Sequence, residues 1–159
     1  SNQTYTPYGE TSRMNTVAQQ SRDWENIKAC TEYFCTSTGN MMVPSGSAWQ
    51  LARHKTYTLS DGSPFKVGDI LCNKGAGGSN ASGDFYHDGT TGGGQYLNAC
   101  CLYEVLTGYD VRNVDWAPTA DGYIDGYDLD PKRAEALRMA AHEAVAASRA
   151  AGLTDHYGK

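Results

Sequence analysis

The sequence predicts an α/β chain that is rich in helix and poor in strand. Three observations lead there. Apolar residues recur at helical spacing in three long segments, near residues 11–38, 93–107 and 130–151. A short apolar run, Met41–Pro44, sits between turn residues and leads through Ser45-Gly46-Ser47 into a further helical pattern. Strand, turn and helix in that order form one step of an α/β layer. A parallel sheet is buried on both faces and needs several strands. Only Met41–Pro44 and a weaker candidate, Phe65–Cys72, are present, so most of the sheet is missing from this chain.

The elements follow in order. Residues 1–10 are polar, with Pro7 and Gly9, and form an extended lead-in. From about Thr11 to Thr38, Val17, Trp24, Ile27 and Phe34 define a helical stripe that Gly39 and Asn40 end. Pro44 cannot donate to a ladder and marks the strand's exit. Ser47 is placed to cap a helix running from Ala48 to about Tyr57 through Trp49, Leu51 and Ala52. Residues 58–83 read as irregular. Gly75-Ala76-Gly77-Gly78 is followed by neither Gly-Lys-Ser/Thr nor a helix, so it is a surface loop and not a phosphate loop. The next helix spans about Gly93–Thr107, with Leu97, Cys101 and Val105 in one row, Leu102 and Leu106 beside it, and Gly108 at its end. After an irregular stretch, Asp130 caps a helix with Pro131 at its first position. It runs to about Ala151, with Leu137, Ala141, Ala144 and Val145 inward, and Gly152 stops it. Residues 153–159 are a frayed tail.

At 159 residues, with 40% hydrophobic and 19% charged, the chain fits a single globular domain, 1–159. A net charge of −5 argues against nucleic acid as main partner, because phosphate binding needs a concentrated basic face. No apolar run reaches transmembrane length, so no membrane partner is expected. No signal-peptide pattern is present at Ser1–Asn2, and a processed secreted or periplasmic chain would look the same. The five cysteines, Cys30, Cys35, Cys72, Cys100 and Cys101, show no repeated spacing and no Cys/His ligand pattern. Cys100 and Cys101, adjacent on a helix, point to different sides and are expected to be small buried hydrophobes, and neither a metal nor a cofactor is expected.

The stretch richest in chemistry is GDFYHDGTTGGGQYLNACCLYEVLTG, residues 83–108. Asp84 and His87 are three apart, so on a turn they lie on one side. The carboxylate then fixes one imidazole nitrogen and leaves the other for a substrate or nucleophile. Asp-x-x-His also arises often by chance as a solvated turn. Tyr86, Tyr96 and Trp49 are aromatic candidates for lining a sugar site, although packing with a satisfied polar tip is the commoner use. Asp121, Asp125, Asp128 and Asp130 lack the early carboxylates of a calcium loop and read as an acidic turn. His54 and His142 have no adjacent carboxylate motif and read as ordinary polar residues.

Asp-x-x-His ahead of a Gly-Gln-Tyr-Leu helix resembles the last block of the SGNH (GDSL-type) hydrolase superfamily. Residues 86–108 are similar to the C-terminal region of a bacterial SGNH-like family of uncharacterised members. MMVPSGSAWQLAR is similar to that family's final core strand and following helix, through Pro44, Gly46, Ala48 and Trp49. DLDPKRAEALRMAAHEAV is similar to its terminal helix. The resemblance covers nearly the whole chain, in order. It implies a partial flavodoxin-like three-layer αβα fold and ester hydrolysis, with acylated carbohydrate as the substrate class. His87 matches the general base and Asp84 its orienting partner. A second register, Asp88-Gly89-Thr90-Thr91, puts Thr91 in the histidine place. The nucleophile block, Gly-Asn-Ser or Gly-Asp-Ser, and the oxyanion Gly and Asn have no counterpart here. The chain thus resembles the C-terminal half of such a domain, and a missing segment, a second chain or self-association would complete the sheet. The rival expectation is a non-catalytic binding module that assembles through its exposed sheet edge.

Overall fold

The computed structural model describes residues 17–68, 93–117 and 129–154. Four helices dominate: α1 (Val17–Thr38), α2 (Ser45–His54), α3 (Gly94–Thr107) and α4 (Pro131–Ala150). The only sheet among the described residues is an antiparallel pair, β1 (Tyr57–Thr58) and β2 (Pro64–Phe65), with Tyr57 opposite Phe65 and Thr58 opposite Pro64. The helix-rich, strand-poor expectation holds, and no parallel sheet is found among these residues.

Helices α2, α3 and α4 pack against one another around a single core. From α3 come Leu97, Cys101 and Val105, all fully buried as their row predicts. Leu102 and Leu106, one position further round, stay exposed. α4 supplies Ala134, Leu137, Ala140, Ala141, Ala144 and Val145. Its alanines leave little between the backbones, so α3 and α2 approach closely, while Leu137 and Val145 fill the remaining volume. Asp130 caps α4 by accepting from the Arg133 N–H at 2.9 Å, and Pro131 occupies the first turn, where its missing N–H costs nothing. Gly108 and Gly152 follow α3 and α4 in the left-handed conformation. Cys100 and Cys101 are both buried and unbridged; burial pushes the Cys100 thiol up to about 12, where it is inert as a nucleophile.

Three local expectations are corrected. Met41–Pro44 is not a strand. Met42 and Pro44 are buried and Val43 exposed, so the period-2 burial is there without a ladder. A backbone bond from Met42 N–H to Leu153 C=O at 2.9 Å ties the segment to the chain after α4, and the Thr154 hydroxyl donates to Met42 C=O at 2.6 Å. The next helix starts at Ser45, not Ala48, because the Pro44 carbonyl already accepts from Ala48 N–H at 3.0 Å. Ser47 therefore lies within the first turn and caps nothing. The helix stops at His54, since Lys55 turns extended and the chain enters β1.

The β1–β2 hairpin falls in the stretch read as irregular. Asp61-Gly62 provides its turn, with Gly62 at φ 80° and Asp61 accepting from the N–H and hydroxyl of Ser63. Pro64 is tolerated because a two-stranded ribbon is all edge. The hairpin is pinned to α4 by Lys132–Asp61 at 2.8 Å and by Ser60 N–H to Glu135 at 2.6 Å.

α1 stands apart from this core. It packs on α2, and Tyr33 and Phe34 remain 77% and 57% exposed. A groove of about 580 Å³ runs between α1, α2 and α4, with Trp24 and Lys28 on one lip and Pro44, Leu51, Ala144 and Ala147 among its lining.

Candidate functional site

Asp84, Tyr86, His87 and Thr91 lie outside the described residues, as does the acidic turn at 121–128. What the structure does describe is the platform that follows them. Gly93 precedes α3 at φ 86°, and a Cβ there would sit 2.4 Å from Leu137 Cδ1 and 3.0 Å from Leu129 Cδ1. Only glycine allows both that backbone and that approach. The start of α3 is thereby seated directly on α4.

Tyr96 and Trp49 are in the core beneath this platform. The Trp49 indole N–H donates to Asn98 Oδ1 at 2.9 Å. The Tyr96 hydroxyl donates to the Trp116 carbonyl at 2.7 Å and accepts from Arg138 at 3.0 Å, with the Trp116 ring 6.2 Å away. Burial pushes the Tyr96 phenol up to about 12, so it stays a neutral donor. Each ring holds two elements together through a satisfied polar tip.

The densest polar arrangement lies at the other end of α3. Glu104 is completely buried. Its carboxylate accepts from Val111 N–H at 3.0 Å and from Arg149 Nη1 at 3.2 Å, and it lies 3.0 Å from His142 Nδ1. Arg149 Nη2 also donates to the Glu104 main-chain carbonyl at 2.7 Å. Asp110, on the connection after α3, approaches the same His142 nitrogen at 3.3 Å. The Arg112 guanidinium, hydrogen-bonded to Asp110, holds that carboxyl down at about 2, so it is ionised through the physiological range. Two carboxylates are thus balanced by two guanidiniums around one imidazole. Chemically, the cluster can orient an imidazole or present three donor atoms to a cation.

Sequence spacing did not bring these residues together. Glu104 comes from α3, Asp110 from the turn before a 3₁₀ segment (Val111–Asn113), and His142 and Arg149 from α4. A signal did exist. Glu104 is seven residues after Leu97, on the buried face of α3, and a carboxylate there requires a partner. His142 and Arg149 are likewise seven apart, on one face of α4.

No protein-family model, curated protein or solved structure matches this chain. No described helix is long and apolar enough to cross a membrane.

Proposed function

We propose that this chain is the C-terminal part of an SGNH-type serine esterase acting on acylated carbohydrate, with a flavodoxin-like αβα domain completed by a segment outside it. His87 takes the proton of a serine supplied by that segment as the serine oxygen bonds to the acyl carbon. Asp84 orients the imidazole and stabilises its charged form. The proton passes to the leaving sugar oxygen as the ester bond breaks, and water then releases the acid by the same route.

The observation that carries this reading is the order of elements. An extended segment, Met41–Pro44, feeds α2; α3 begins at Gly94, seven residues after His87; and α4, capped at Asp130, closes the core. This order supports the resemblance, although Met41–Pro44 is extended without a ladder where the resemblance has a core strand.

The test is turnover of p-nitrophenyl acetate by the protein combined with a segment carrying the Gly-Asn-Ser or Gly-Asp-Ser block. Activity is expected only in the combination, and His87→Ala is expected to lower it by roughly 10²-fold or more. Full activity in His87→Ala sinks the assignment of the base. Labelling of a serine within residues 1–159 by a fluorophosphonate sinks the idea of an external nucleophile.

A second reading, a non-catalytic module that binds a partner, is favoured by the exposed aromatic side chains on α1, Tyr33 and Phe34. Such a module would show tight association and no turnover in any combination.

A further inference from the structure

We propose that Glu104, Asp110 and His142 form a binding site for a divalent transition-metal ion of the zinc class. One donor atom from each residue lies within 4.8 Å of the others, and His142 Nδ1 is 3.0 Å from Glu104 Oε1 and 3.3 Å from Asp110 Oδ1. Ligand atoms on a tetrahedral zinc with bonds of roughly 2.0 Å are about 3.3 Å apart; the two distances to His142 match this, and the carboxylate oxygens, within 4.8 Å of each other, can close on an ion by a shift of the partly exposed Asp110 side chain. An imidazole nitrogen with two carboxylate oxygens suits zinc, whereas calcium or magnesium would call for an all-oxygen set.

The surroundings fit a held ligand set. Glu104 is anchored by Val111 N–H and Arg149, and Asp110 by a bidentate hydrogen bond from Arg112, with Arg112 Nη2 2.6 Å from Oδ2. Outer donors of this kind fix ligating carboxylates in place. They also compete for charge. Arg112 and Arg149 neutralise the two carboxylates, so affinity depends on the imidazole nitrogen and not on net negative charge. Glu104 forms the sealed floor, while the His142 and Asp110 side chains, 26% and 29% exposed, open the site to solvent. A fourth position on that side would be left to water or a ligand, the pattern of an open zinc site.

The test uses the 159-residue chain, with zinc titrated by calorimetry and cobalt(II) as the spectroscopic probe. Zinc is expected to bind at one site and to raise the thermal midpoint. Cobalt is expected to give visible d–d bands without thiolate charge transfer. His142→Ala and Asp110→Asn should each weaken binding roughly tenfold or more, a loss typical even of an outer partner. Asp110 is partly exposed and lies on the connection after α3, so that variant keeps the question answerable if changes nearer Glu104 unfold the chain. His54→Ala should leave binding unchanged. The proposal falls if the wild type gives no zinc heat or cobalt band. It also falls if both variants bind as tightly as wild type, or if thiolate charge transfer places the ion on the cysteines.

Discussion

Arg149 grips Glu104 at two points, donating from Nη2 to its main-chain carbonyl at 2.7 Å and from Nη1 to its carboxylate at 3.2 Å. The last turn of α3 is therefore fastened to α4 through backbone and side chain together. Removing the guanidinium leaves the fully buried Glu104 carboxylate without its cationic partner. Arg149→Met is expected to destabilise the chain by about 3 kcal/mol. Adding Glu104→Gln removes that stranded charge, so the double variant should lose less than the sum of the singles. Denaturant unfolding of all four proteins measures the coupling, and simple additivity would show that the pair is not a unit.

Gly93 and Gly39 share a left-handed backbone and differ in surroundings. A Cβ at Gly93 collides with Leu137, whereas one at Gly39 meets nothing within 4 Å. Gly93→Ala should cost about 2–3 kcal/mol, through backbone strain and overpacking. Gly39→Ala should cost only about 1 kcal/mol, from the backbone alone. Equal losses in chemical denaturation would remove the packing argument.

Tyr96 sets an alkaline limit. Its phenol is pushed up to about 12, chiefly by burial, while an unfolded tyrosine ionises near 10. The folded state binds that proton more tightly. The resulting stability is full below about pH 10 and is lost as pH rises from there towards about 12. Tyr57, raised by burial and by Glu143, acts in the same direction. Tyr96→Phe should flatten the fall in stability above pH 10. It should also lower stability at neutral pH by about 1 kcal/mol, from the lost bonds to Trp116 and Arg138. An unchanged alkaline profile would count against the assignment.

Phe34 contributes to an exposed surface and not to the core. Phe34→Ser should leave the thermal midpoint nearly unchanged, within about 0.5 kcal/mol. It should also reduce binding of a dye that reports exposed apolar surface. A large loss of stability would mean that α1 is more deeply held than its contacts with α2 imply.

The helices were legible because their apolar rows and stop signals are local. Leu97, Cys101 and Val105 with Gly108 identify α3, and Asp130-Pro131 with Gly152 bounds α4. Two adjacent signals misled. Met41–Pro44 has the burial of a strand, but its hydrogen bonds go to the chain after α4, which no periodicity reveals. Ser47 looks like a cap, but the Pro44 carbonyl starts the helix earlier. The Asp61-Gly62 turn carries a local signal, but strands of two residues each leave no alternation on either side of it to read. The Glu104 cluster was out of reach for a different reason. Its members are up to 45 residues apart, and only the packing of α3 on α4 makes them neighbours.

The bonds that join Met42 to Leu153 and Thr154 have a topological consequence. They close a ring of 112 residues, and Ser148 reinforces it through the Thr154 hydroxyl at 2.5 Å. Closing a loop of that length costs roughly 4 kcal/mol in chain entropy before any contact is made. The packing of α2 on α4 offsets part of that cost by bringing the two ends of the loop together, and the junction acts as a latch on the packed helices. Everything from Met42 to Thr154 lies inside the latch and α1 lies outside it, so a protease that trims the chain back to Asn40 should leave the three-helix core closed.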